Sequence, residues 1–165
     1  MNTFKSYLPL CWLKANPLDL PHSIAFLKQN FWFYYLVELF IQANMIDPLE
    51  AAVEVTIETA LTFSFIALIM FLNRNFQHFV PVVSSILFCE NVVAFFGVPV
   101  VVWLTVTDSL ISYYMLGGLI LWDYILIAYI LRKTLGINIA ASLTLSFFYF
   151  MMTYAGAYFV TIMIF

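Results

Sequence analysis

Five long apolar stretches, separated by short polar breaks, set the pattern of this chain. They cover 30–46, 51–72, 79–106, 110–131 and 137–165, and the breaks read DPLE, NRNFQH, TDS and RKTLG. A helix needs about 20 apolar residues to cross a bilayer, so each stretch predicts one transmembrane helix. Breaks this short force consecutive helices to run antiparallel, side by side. The predicted fold is all-α, a polytopic membrane helical bundle with five transmembrane helices. The spans fill 30–165, and 1–29 form a cytoplasmic or interfacial N-terminal segment. Spans 79–106 and 137–165 exceed the bilayer thickness and must tilt, kink or project. GVP at 97–99 offers the first of them a kink.

Ahead of the spans, FKSYLPLCWL at 4–13 admits two readings. Either it lies along the membrane surface with Phe4, Leu8, Trp12 and Leu13 dipping in and Pro9 interrupting the helix, or it is a loosely ordered tail. Bulky Leu10 before Cys11 is unlike a processing site, so no signal peptide is expected. Pro17 and Pro21 bend the chain before a helix start at Ser23.

Composition supports the membrane class, since 65% of the 165 residues are hydrophobic and only 9% charged, against about 25% charged in soluble domains. The net charge is -3 and the six basic residues form no patch, which argues against nucleic acid as a partner. The bilayer is the expected partner, together with another membrane protein or a second copy of the chain. Lys5, Lys14, Lys28, Arg74, Arg132 and Lys133 fall on one side of the five-span arrangement, whereas Asp47, Glu50 and Asp108 fall on the other. Basic residues in short loops stay in the cytoplasm, so the N-terminus is expected inside and the C-terminus outside. Trp103, Tyr113 and Tyr114 would anchor the outer interface, and FWFYY at 31–35 the inner one.

Acids inside apolar stretches carry the chemical interest. Glu38, Glu58, Glu90 and Asp123 lie well within spans, and Glu54 sits one turn outward of Glu58. A charged acid at mid-bilayer costs about 2.5–3.5 kcal/mol, and no span holds an interior Lys or Arg to offset it. Three outcomes relieve the cost: the acids are protonated, they bind a cation, or they meet a basic residue of another protein. Tyr34, Glu38 and Gln42 recur every four residues on one helical face, as do Glu54, Glu58 and Thr62. Asn91 adds an amide beside Glu90. Singly, each acid also reads as a protonated packing residue; as a set they are candidates for handling protons or a cation, with Glu90 facing Asp123.

Other chemistries find no support. His22 and His78 lie at the inner boundary rather than within spans, which disfavours haem. No Lys is placed for a Schiff base, and Walker, dinucleotide, HExxH and GxSxG motifs are missing. His78 and Cys89 are more than about 12 Å apart along one helix, so no metal site is expected; neither is a cofactor or an enzyme activity. Met151 and Met152 read as packing. Cys11 and Cys89 read as free thiols, because pairing them would carry the chain's start to the middle of a membrane helix. Small residues at Ser85 and Cys89, Gly117 and Gly118, Ser142 and Ser146, and 155–157 mark close helix contacts. The halves show no internal repeat, which weakens an inverted-repeat transporter.

With NP at 16–17 ahead of the first span, and LWDYILIAYILRKTLG at 121–136 carrying a Trp-containing span out through a basic pair, the chain resembles the Ypt-interacting protein (Yip) family and its bacterial relatives over 16–165. The resemblance implies a helical membrane domain; eukaryotic members act in vesicle trafficking with Rab-type GTPases. This chain lacks the long cytoplasmic segment and the DLYGP-like motif of those members, so GTPase binding is not carried over. The resulting expectation is a multi-pass protein of a bacterial inner membrane, serving as an accessory or scaffolding subunit that packs on partners through buried polar residues. The rival is a small proton- or cation-coupled transporter or channel. Acids enclosing a wet cavity within one chain would favour the rival; Glu38 or Glu58 facing a foreign Arg or Lys would favour the scaffold.

Overall fold

The computed structural model describes residues 3–107 and 109–165; Asp108, counted above among the outer acids, lies outside them. Helix starts follow from local chemistry. Ser23 caps α2 (Ile24–Ala43) by accepting the Phe26 N–H at 3.2 Å, and Asp47, followed by Pro48, caps α3 (Pro48–Leu72) by accepting the Leu49 N–H at 2.9 Å. Both satisfy N–H groups that a helix start leaves unpaired. A 3-10 turn, Phe76–His78, leads into α4 (Phe79–Thr107), which runs on through Pro99 without a break. α5 (Leu110–Leu135) continues past the expected end at 131, taking Arg132 and Lys133 into its last turn, and stops at Gly136 with φ 66°. Asn138 caps the last helix, built of α6 (Ile139–Phe150), a π turn (Met151–Ala155) and α7 (Gly156–Ile164).

The helices close into a ring. α2 touches α3 and α4, α4 touches α5, α5 touches α6, and α7 returns to α3. Four helices among the described residues are long and apolar enough to cross a membrane: Pro48–Leu72, Phe76–Thr107, Leu110–Leu135 and Ile139–Ile164. α4 is the innermost, with 67% of its most apolar stretch buried against 22% for the last helix. α2 does not meet the same criterion of length and composition, for it carries Lys28, Glu38 and several amides among its 20 residues.

Polarity runs opposite to that of a soluble protein. Glu58, Thr62, Ser85, Ser112, Ser146, Thr153 and Thr161 are all essentially inaccessible, while Phe71, Phe95, Tyr114 and Met163 are largely exposed. Water would penalise so much exposed apolar surface, and hydrocarbon does not.

The N-terminal segment docks on this ring. α1 (Thr3–Tyr7) gives way to a 3-10 turn, Leu8–Trp12, at Pro9. Tyr7, Leu10 and Cys11 are buried, whereas Phe4, Leu8, Trp12 and Leu13 are exposed, Phe4 with its ring 5.2 Å from that of Phe88 and Trp12 lining one cavity with Phe96 and Trp103 of α4. The Tyr7 hydroxyl, pushed up to about 12 by burial, donates to the Pro21 carbonyl at 3.1 Å. The Tyr129 hydroxyl of α5 donates to the Ala15 carbonyl at 3.0 Å, and the rings of His22 and His78 lie 5.9 Å apart. Cys11 and Cys89 are free thiols, yet the chain's start does reach α4, for their sulfurs are 3.9 Å apart.

Candidate functional site

Two phenol–carboxyl pairs occupy the ring's interior. Tyr34 of α2 donates its hydroxyl to Glu58 Oε1 of α3 at 2.5 Å. Tyr149 of α6 donates to Glu90 Oε1 of α4 at 2.6 Å, and its oxygen lies 3.4 Å from Thr62 Oγ1. A carboxyl accepting such a bond is roughly twice as strongly held if ionised. Each acid thus has one oxygen fixed, and Glu58 Oε2 and Glu90 Oε2 are buried without a partner.

A cavity of about 410 Å³ adjoins these pairs, lined by Glu38 and Gln42 of α2, Glu90 of α4, Asp123 of α5, Phe150 and Tyr154. Asp123 Oδ1 is a third buried carboxyl oxygen without a hydrogen-bond partner. No Lys or Arg is among the lining residues. Unpaired polar atoms in such a place are costly. The four carboxyls lie within electrostatic reach of one another, Glu38 with Asp123 and Glu58, and Glu90 with Asp123. The arrangement can hold protons shared between carboxyls, or a cation wrapped by carboxyl, amide and phenol oxygens.

Both helical stripes read from the sequence point inward, but not all their members converge. Tyr34, Glu58 and Thr62 enter the hydrogen-bonded pairs, and Glu38 and Gln42 face the cavity. Glu54 is half-buried and outside the cavity lining. Asn91 turns away from Glu90 and donates to the Asn30 carbonyl at 3.1 Å. Among the described residues, no group of three or more His, Cys, Asp or Glu is placed to hold a metal ion.

Sequence reasoning missed Tyr149, Tyr154 and Asn30. A signal existed for Tyr149: Ser142, Ser146, Tyr149 and Thr153 follow the four-three-four spacing of one helical face, and all four are buried. Only the first two were read, as packing contacts. Tyr154 reaches the cavity from the π turn, where the Thr153 hydroxyl donates to the Tyr149 carbonyl at 2.9 Å. π turns often mark functional sites. Compared with models of protein families, with curated proteins and with solved structures, the chain matches none.

Proposed function

We propose that this chain is a multi-pass membrane protein that moves protons or a small cation across the bilayer, using Glu38, Glu58, Glu90 and Asp123 as the groups that bind it in transit. One observation carries the reading: two of the residues lining a cavity formed within a single chain, Glu90 and Asp123, each have a buried carboxyl oxygen without a partner, and no basic residue lines that cavity. Acids at membrane depth mark ion and proton pathways. In this reading α2 is a fifth span, its 20 residues reaching about 30 Å, the thickness of the hydrocarbon core. Trp32, Leu36 and Phe40 form an exposed apolar face on α2, which suits contact with lipid. Lys28 near the start of α2, Arg74 just after α3, and Arg132 and Lys133 in the last turn of α5 mark one end of the antiparallel helices, which in this reading becomes the cytoplasmic end. Five spans and a cytoplasmic N-terminus also fit the Yip-like reading of 16–165.

Purified protein in liposomes loaded with a pH-sensitive dye, under a potassium-set membrane potential, tests the reading. Wild type should conduct above empty liposomes, and the E90Q/D123N double variant should lose about tenfold or more of the initial rate, as expected when groups that relay protons are removed. Equal rates in the two proteins, or a wild type no faster than empty liposomes, overturn it. The accessory-subunit reading places a partner's Lys or Arg in the same cavity. It predicts no flux in wild type, but a co-purifying membrane partner that the double variant sheds.

A further inference from the structure

A second cavity, of about 470 Å³, lies between α1, α2 and α4, within the range of about 300–1,000 Å³ typical of small-molecule sites. Five rings, Phe4, Phe26, Phe33, Phe88 and Phe95, wall it, and no charged residue lines it. Phe33 and Phe95 are 50% and 68% exposed, so the cavity opens sideways onto the apolar exterior. Three carboxamides also line it: Gln29, which is exposed, and Asn30 at 8% and Asn91 at 6% exposure, which are buried. Asn91 Nδ2 donates to the Asn30 carbonyl, which leaves Asn91 Oδ1 as an acceptor. That acceptor and the donor Asn30 Nδ2 are both buried without a partner.

An unpartnered donor and an unpartnered acceptor on two residues joined by a hydrogen bond are complementary to a group that gives one hydrogen bond and takes one. We propose that this cavity binds a single-chain lipid with a neutral head of that kind, a hydroxyl or a primary amide, its chain lying against the phenylalanine rings. A hydroxyl gives its proton to Asn91 Oδ1 and accepts from Asn30 Nδ2. An ionised carboxylate or a phosphate ester has no proton for Asn91 Oδ1 and meets no cation in the lining. An ether accepts but cannot donate. A water molecule satisfies the amides but leaves the apolar space around them to be filled by something else. The site is separate from the carboxyl cavity and does not depend on the role proposed for it.

Four pyrene-labelled probes of equal chain length, ending in a hydroxyl, a primary amide, a methyl ether and a carboxylate, are titrated into the protein in nanodiscs. Binding is read by energy transfer from the protein's tryptophans. The alcohol and the amide should bind about tenfold more tightly than the ether and the carboxylate, the effect of one to two modest hydrogen bonds. Asn30→Leu should erase that preference while retaining the ether's affinity, since Asn91 bonds only to the backbone carbonyl at 30. Phe95→Trp, at the exposed mouth, should weaken all four probes. Equal affinity of alcohol and ether for wild type, a preference that survives Asn30→Leu, or binding indifferent to Phe95→Trp overturns the proposal. An outcome with water alone on the amides belongs to the first of these.

Discussion

Tyr149 holds two neighbours at once: it donates to Glu90 and sits beside Thr62. Tyr149→Phe keeps the ring's packing but leaves both Glu90 oxygens without a donor, and a buried acceptor so abandoned costs about 1–3 kcal/mol. Unfolding of the purified protein in mixed micelles should show a loss of that size. Tyr35→Phe is the control, because the Tyr35–Thr56 contact at 2.9 Å is exposed and its loss should stay within about 0.5 kcal/mol. At this scale the sequence was partly readable. The acids declare themselves through their cost in hydrocarbon, and Tyr34, Glu38 and Gln42 through four-residue spacing on a single helix. Tyr149 does not, because its link to Glu90 depends on the register between helices 59 residues apart in the chain. Its spacing with Ser142, Ser146 and Thr153 marks an inward face, but nothing local names Glu90 as its partner.

Among the elements, the last helix is the one whose regularity the sequence overstated. Its apolar run reads as a single α-helix, but Met151–Ala155 widens into a π turn. The turn holds no proline or glycine to announce it, though Gly156 follows immediately. A Cβ built at Gly156 lies 3.3 Å from the Leu61 side chain, so α7 comes close to α3 there. Gly156→Ala should be tolerated by a small shift of Leu61, whereas Gly156→Leu should lower stability by about 1–3 kcal/mol through overpacking, measured by the same unfolding assay. The N-terminal segment is likewise firmer than its composition implied, since its inward residues, Tyr7, Leu10 and Cys11, are separated by three and one and show no long period. A disulfide-forming oxidant added to purified protein should take one hydrogen from each of Cys11 and Cys89 and join the sulfurs. The product, seen as a peptide pair by mass spectrometry, requires only that the 3.9 Å gap close; its absence would place the segment elsewhere.

Taken whole, the molecule is apolar outside and polar within, and that inversion was legible at once because composition alone demanded a hydrocarbon solvent. The number of crossings was less so: α2 has the length of a span but mixes Lys28, Glu38 and amides into it, Glu38 and Gln42 facing the cavity while Lys28 and Gln29 are exposed. In a variant lacking Cys11 and Cys89, single cysteines at Asp47 and Asn75 should react with a membrane-impermeant maleimide from opposite faces of sealed vesicles, Asp47→Cys from outside and Asn75→Cys from the cytoplasmic face. Labelling of Asp47→Cys from the cytoplasmic face would mean that α2 does not cross.

The hydrogen bond from Tyr129 to the Ala15 carbonyl spans 114 residues of chain. Residue 15 is synthesised well before residue 129, so the Ala15 carbonyl gains this donor only once α5 has been made. Until then that carbonyl lacks its partner, and removing the Tyr129 hydroxyl would loosen the docking of the early segment rather than α5 itself.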